Sequence, residues 1–246
     1  MDVLPPTTSV TEAAYNMLRH ALLTGDIMPG DRLKIGELSA RLSVNLSAIR
    51  EALTRLAGEG MLIAEPQRGF SAAPVSAEDL EDLTRVRIDI ETICITRSIE
   101  HGGVAWESGV VAAAHALSRT PKPYGADSPA GLDAWRSAHA NFHDALTRNC
   151  GSPWLLRLRG QLNLQNQRYL SLSLKLARNR IQADDEHRNL ADAALARDAG
   201  AVTALITEHF WVTTRNLLLS PLLVADAAAM PRIRGRSRAA ADQAVD

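Results

Sequence analysis

Residues 45–70 limit what this chain can fold into more than any other stretch. Asn45 precedes a run in which Ile49, Leu53 and Leu56 return at helical spacing on one face, and its side chain can accept from the first free backbone N–H groups of a helix. Gly60 stands where such a helix ends in a left-handed turn. Residues 61–64 then read as a short strand, Pro66-Gln67-Arg68-Gly69 as a tight turn, and residues 70–73 as a returning strand. Two exposed elements are thereby presented together: a helix face with Ser47 and Arg50, and a basic turn with Gln67 and Arg68.

The residues before this stretch supply its scaffold. Ser9 and Glu12 are spaced as a capping box, opening a helix to about residue 24 with Ala14, Met17, Leu18 and Leu22 inward. A turn-rich connector, residues 25–30, leads to a short helix over 35–42, and only Ser43, Val44 and Asn45 separate that helix from the next. Two short helices joined so tightly make a helix-turn-helix, and the strand, basic turn and strand behind them complete the layout of a winged helix. Residues 1–73 are thus expected to form one small domain, with Arg41 at the end of its second helix placed to hold a phosphate.

Beyond Pro74 and Val75 the pattern changes. Ser76 and Asp79 can cap a helix running to His101 and stopping at Gly102-Gly103. Further helices are expected at about 106–119, 129–149, 154–178, 182–197 and 200–219, punctuated by Pro- and Gly-containing breaks and with no strand pattern between them. The expectation is a mainly α protein, with an all-α bundle of about six helices over residues 74–220. Past Pro221 the chain is Ala-rich, with Arg232, Arg234, Arg236 and Arg238 among small residues. That composition predicts a disordered tail over 221–246.

Bulk composition narrows the partners. At 246 residues and 46% hydrophobic content the chain can bury one large or two modest cores. A net charge of −1 gives no broadly basic surface, so any nucleic-acid footprint must be local. Two cysteines, Cys94 and Cys150, point to a reducing compartment, with Cys150 a buried structural thiol. No apolar run is long enough to span a bilayer. The expected location is the cytoplasm, with no membrane partner.

Seven histidines carry the second signal. His20, His101 and His115 stand alone on their helices and suit surface or core positions. His139 and His143 differ, because spacing of four puts both imidazoles on one helix face. His187 and His209 fall on two later helices, and a bundle can gather three helices around one cavity. Neutral imidazoles in that number suit zinc, nickel, copper or ferrous iron, or else a polar cavity whose histidines bind a ligand directly. Arg87 offers a guanidinium for bidentate carboxylate binding, or for an internal ion pair with Glu91 four residues on. Gln161, Asn163, Gln165, Gln167 and Arg168 cluster on one long helix as further polar candidates.

Several motifs in order resemble a known family. Residues 24–33 (Thr-Gly-Asp-Ile-Met-Pro-Gly-Asp-Arg-Leu), Ser47-Ala-Ile-Arg-Glu-Ala-Leu53, Glu59-Gly60 and Gln67-Arg-Gly69 are similar to the winged-helix domain of GntR-superfamily transcription regulators. Arg87-Ile-Asp-Ile-Glu91, Phe142-His143, Glu186-His187 and His209 resemble the FCD effector domain of the FadR-type branch. The resemblance spans about residues 10–219. It implies a homodimer that grips palindromic operator DNA and changes that grip when a small organic acid occupies the bundle. Arg50 and Ser47 would read from the recognition helix, and Gln67, Arg68 and Gly69 would form the wing tip. It also implies a divalent metal, zinc first with nickel or iron as alternatives, held by a carboxylate and three histidines that match His143, His187 and His209. Here His139 stands at the carboxylate position, which should favour softer metals and make the pocket more electropositive. Leu46 stands where many relatives carry an arginine, so a bidentate guanine contact is absent there and only an apolar touch on a thymine methyl is possible.

The function expected from these features is a transcription regulator of a catabolic operon, a repressor, responsive to a small carboxylate. A regulator answering to the metal itself is the first alternative. A metal-dependent hydrolase is the second, weakened because no HExxH motif occurs, no carboxylate adjoins the His139/His143 pair as a general base, and Glu186 is expected to point away on its helix.

Overall fold

The computed structural model describes residues 9–66, 68–121, 129–174, 183–219 and 223. Gln67, the C-terminal end of the helix expected to reach 178, and the expected tail apart from Leu223 lie outside them. In chain order the elements are α1 (Val10–Thr24), β1 (Arg32–Leu33), α2 (Ile35–Leu42), α3 (Leu46–Gly58), β2 (Leu62–Glu65) and β3 (Gly69–Ala72). Then follow α4 (Ala77–His101), α5 (Val104–Arg119), α6 (Pro129–Thr147), α7 (Pro153–Leu174), α8 (Ala183–Leu195) and α9 (Ala199–Leu218).

Local chemistry sets the N-terminal boundaries. Ser9 Oγ accepts from the Glu12 amide at 3.1 Å to start α1, but the Glu12 carboxylate turns outward to Arg55 at 2.7 Å and leaves the capping box half made. Asn45 Oδ1 accepts from the Ala48 amide at 2.9 Å to start α3, and Gly60, at φ 73°, takes the left-handed turn that ends it. Between α2 and α3, Ser43 takes φ 54°, and Ser39 Oγ donates to the Val44 carbonyl at 2.6 Å to hold the tight turn. This is the helix-turn-helix.

The strands form a three-stranded antiparallel sheet in the order β1-β3-β2, with Leu62 opposite Ala72, Glu65 opposite Gly69, and Arg32 opposite Ser71. The β2–β3 hairpin is the expected wing. Strand β1 is an addition, since two residues are too few to carry an alternating pattern. Ile49, Leu53, Leu56 and Met61 are fully buried with Ala14, Leu18 and Leu22. Each large apolar side chain so buried contributes roughly 1.5–3 kcal/mol. Met17, expected inward, is instead 45% exposed. Tyr15 takes the inward position, and its hydroxyl donates to Glu59 at 2.9 Å. An aromatic with a polar tip fits that half-wet site better than a thioether.

The second core lies in the bundle. Helix α4 packs against α9, α7 and α6, and Ile95, Val110, Phe142, Leu146, Leu190 and Ile206 fill the space between helices. Ser76 Oγ accepts from the Asp79 amide at 3.0 Å to start α4. Gly102 ends it where any Cβ would stand 2.4 Å from the Trp106 ring and 2.5 Å from the Ser98 carbonyl oxygen. Trp106 Nε1 donates to the Ala145 carbonyl at 3.0 Å and fastens α5 to α6. A smaller cluster of Val75, Leu80, Tyr169, Leu217 and Leu223 seats the linker on the bundle.

Candidate metal centre and nucleic-acid interface

Three helices deliver four imidazoles to one place. His139 and His143 come from α6, His187 from α8 and His209 from α9, and one ring nitrogen from each lies within 4.8 Å of all the others. Nitrogens about 2.1 Å from a shared zinc ion are ~3.4 Å apart, so side-chain shifts on the order of an ångström would close the four around an ion. His143, His187 and His209 are buried, with His139 at the mouth and Trp135 stacked on it at 4.9 Å.

Protonation and hydrogen bonding suit metal donors. Burial first, then neighbouring His209 and His187, hold the His143 pKa well below the usual imidazole value, so it is neutral at neutral pH. Neither His143 ring nitrogen has a hydrogen-bond partner among the described residues, and Nδ1 lies 3.6 Å from Glu91 Oε1. A buried imidazole with no hydrogen bond at either nitrogen is costly unless something else uses its lone pair. On His209, Nδ1 faces Glu186 Oε2 at 2.7 Å, which directs Nε2 into the cluster. Glu186 therefore does not point away as its place beside His187 suggested. The α8–α9 packing turns it onto His209.

A charged layer lies beside the imidazoles. Arg159 on α7, not singled out from the sequence, clamps buried Glu91 through Nε at 2.7 Å and Nη2 at 3.1 Å and reaches Asp144 at 2.5 Å. Its sequence signal is the spacing of Arg159, Asn163 and Asn166, which puts three polar groups on one face of α7. With Glu91 so occupied, the alternative pairing of Arg87 with Glu91 is not made as a hydrogen-bonded ion pair. The Arg87 guanidinium lies 4.1 Å from the Phe210 ring centre and donates to Asn163 Oδ1 at 3.3 Å, while its Nε has no hydrogen-bond acceptor among the described residues. Burial pulls its pKa down to about 10, with Glu91 opposing and Arg159 adding to the fall, so it stays cationic. Gln165 and Arg168 leave this pocket altogether and face the N-terminal domain. Cys94 and Cys150 are both buried; burial, then the neighbouring Cys150 thiol, push the Cys94 thiol up to about 12.

On the N-terminal domain, Ser47 and Arg50 are exposed on α3, Leu46 beside them is 56% exposed, and Arg41 is exposed at the end of α2. Arg68 is exposed on the β2–β3 turn, its amide donating to the Glu65 carbonyl at 3.0 Å, and Gly69 opens β3 at φ 91°. Arg41, Arg50 and Arg68 make no ion pair among the described residues, which leaves their charge to the surface. Arg55 does not share that freedom. It pairs with Glu12 at 2.7 Å and lies 3.7 Å from the centre of the Tyr15 ring.

Helix-turn-helix, wing and an imidazole-lined bundle define a class, the winged-helix transcription regulators, and comparison with known proteins gives the family. Residues 10–71 match the family described as bacterial regulatory proteins, gntR family, and residues 82–211 match the FCD domain. The chain belongs to the GntR family, with a GntR-type reading head joined to an FCD domain. It is 35% identical over 201 residues (82% of each chain) to the HTH-type transcriptional regulator BphR of Paraburkholderia xenovorans strain LB400, and 29% identical over 218 residues (87% of this chain, 94% of the relative) to the HTH-type transcriptional repressor GlaR of Escherichia coli strain K12. The solved structure of E. coli McbR/YncC shares the fold, with a TM-score of 0.68, 20% identity and coverage of 86% of this chain and 98% of that one. Fold and relatives are those of transcription regulators, which bind operator DNA, and not of enzymes. No helix among the described residues is long and apolar enough to cross a membrane.

Proposed function

We propose that this regulator is a repressor of a catabolic operon, working in the cytoplasm as a homodimer released from its operator by a small carboxylate. Residues 1–73 are the reading head and 74–220 the effector and dimerisation domain. The observation that carries the proposal is the four-imidazole cluster beside a buried arginine, Arg87, in a chain that begins with a DNA-reading head. His139, His143, His187 and His209 hold a divalent metal, zinc first. The metal supplies positive charge and Lewis acidity, and Arg87 supplies the guanidinium that receives the effector carboxylate. Four neutral donors leave the metal's charge undiminished, which favours an anion. Arg50 and Ser47 meet base edges or phosphates from α3, Arg68 and Gly69 with Gln67 enter the groove at the wing, and Arg41 holds a phosphate. Exposed Val86 and Ile93, seven residues apart on one face of α4, supply an apolar strip for the second copy.

One observation favours a second reading. The site gathers four imidazoles, and four protein donors would close zinc's shell as in a structural or sensing site. In that case the metal is the signal. Titration of DNA from the gene's own upstream region at fixed salt, with wild type and Arg50→Ala, tests the common core of both readings. A site bound by wild type and lost in the variant supports the regulator. Repeating the titration with zinc-loaded and chelator-stripped protein, and then with small carboxylates, separates the two signals. Wild-type binding no tighter than competitor DNA over a genome-wide operator selection, in loaded and stripped protein alike, would overturn both.

A further inference from the structure

Helix α7 faces the pocket on one side and the reading head on another. Arg159, Asn163 and Asn166 line its pocket side, where Arg159 grips Glu91 and Asn163 accepts from Arg87. Gln165 and Arg168 project from a different side of the same helix. Gln165 Nε2 donates to the Glu59 carbonyl at the C-terminal end of α3 at 2.5 Å, and stands so close to Gly60 that a Cβ there would meet it at 3.0 Å. Arg168 Nη2 donates to the carbonyls of Ala73 at 2.6 Å and Pro74 at 2.8 Å, the last residues of the head and the start of the linker. Arg168 Nη1 also donates to Gln165 Oε1 at 2.7 Å, so the two side chains act as one clasp. Leu164, between Asn163 and Gln165, packs against the core of the head.

Just C-terminal to the clasp, the Tyr169 hydroxyl donates to Asp79 and accepts from the Ser76 amide at 3.4 Å, tying the same helix to the start of α4. A cavity of about 450 Å³ lies beside the clasp, lined by Pro74, Ser76, Asp79, Leu83, Gln165 and Arg168. The end of the DNA-facing helix and the linker are therefore held by side chains of the helix that also reaches the effector pocket. Arg159 and Arg168 stand nine residues apart, ~13 Å along the axis at 1.5 Å per residue. A stiff helix carries a shift or roll over that distance with little loss. Four of the clasp's acceptors are backbone carbonyls, the Gly60 carbonyl at 3.5 Å from Arg168 Nη1 among them, and these cannot follow a moving partner as a long side chain can.

We propose that α7 is the transmission element of this regulator: Arg159 and Asn163 register the state of the pocket, and the Gln165–Arg168 clasp passes the resulting displacement to the end of α3 and to the linker. This rests on the reading of the bundle pocket as the regulatory site. A two-state element biased from both ends is what coupling between distant sites requires. The clasp also makes a specific claim about which contacts carry the signal, because α1 of the head packs against α7 as well and its contacts would survive loss of the clasp.

Amide hydrogen exchange on the full-length protein tests the proposal, comparing chelator-stripped with zinc-loaded samples of wild type, Gln165→Ala and Arg168→Met. In wild type, zinc is expected to alter exchange in the bundle and also, by about threefold or more, at residues 56–62 and 73–76. In each variant the bundle response should remain while the response at 56–62 and 73–76 falls by half or more. Far-ultraviolet circular dichroism and zinc affinity, both expected unchanged, exclude a variant that has merely lost its fold. Where zinc alters nothing in the bundle, the metal reading fails by itself, and Asn163→Ala, added to wild type and to each clasp variant, supplies the disturbance at the pocket end. The proposal is overturned if the head responds as strongly in clasp variants that retain their fold as in wild type, or if the disturbed wild-type bundle leaves 56–62 and 73–76 unchanged.

Discussion

Replacing Arg159 by methionine should strongly destabilise the bundle, and the size of the loss follows from the surroundings of Glu91. The Glu91 carboxylate is 2% exposed, and Arg159, itself 7% exposed, gives it two hydrogen bonds of 2.7 and 3.1 Å. Methionine keeps most of the stem's packing but removes the cation, leaving the carboxylate buried beside His143, whose nearest nitrogen is 3.6 Å away and neutral. Stranding one member of a buried pair costs about 3–5 kcal/mol. Arg87 sets the lower end of that range, because it lies four residues earlier on α4 with a free Nε and can swing toward Glu91. Glu91→Gln combined with Arg159→Met removes both charges and should recover at least ~2 kcal/mol relative to Arg159→Met alone. The four tryptophans at 106, 135, 154 and 211 all belong to the bundle, so their fluorescence during urea unfolding reports that unit selectively. With a slope of about 2 kcal/mol per molar urea, the Arg159→Met midpoint should fall by about 1.5–2.5 M. A midpoint within about 0.5 M of wild type, or identical midpoints for single and double variants, would refute the argument that Glu91 depends on this clamp.

Two further outcomes follow from the same region. Glu186→Gln weakens the carboxylate that fixes His209 and should lower zinc affinity about 10–100-fold in a chromophoric-chelator competition with little change in folding; equal affinity would show that Glu186 does not orient a ligand. Phe142→Ala empties a fully buried site between the histidines and the helical core and should cost about 3–5 kcal/mol, read as a lower bundle unfolding midpoint.

Element by element, the architecture was largely legible from sequence because its signals are local. Asn45, Ser76 and Gly60 each act within a few residues, and α2 runs over the residues its pattern predicted. What escaped depends on tertiary placement. Strand β1 exists only because β3 lies beside it, and Tyr15 turns inward in place of the expected Met17 because the Glu59 carboxylate at the end of α3 takes its hydroxyl. In the site, spacing of four paired His139 with His143, and the family resemblance linked them to His187 and His209. The roles of Arg159 and Glu186 could not be read from spacing alone. Each is defined by a partner on another helix, 68 residues away for Arg159 with Glu91 and 23 for Glu186 with His209. Gln165 and Arg168 looked like members of a polar pocket cluster, because one-dimensional proximity does not reveal which side of α7 meets which neighbour.

Strand β1 has a consequence for the energetics of binding DNA. It joins the connector after α1 to the wing, and the Gly30 amide donating to Ala72 and the Ala72 amide donating to Asp31, at 3.0 and 2.8 Å, extend that seam. The base of the wing is thus stitched to the body of the head before any duplex arrives. Its ordering entropy, of the order of 1–2 kcal/mol per backbone residue, has already been met during folding. Calorimetry of operator binding should therefore register the small negative heat-capacity change of rigid surfaces closing on one another, and not the far greater drop seen when a segment folds on its target.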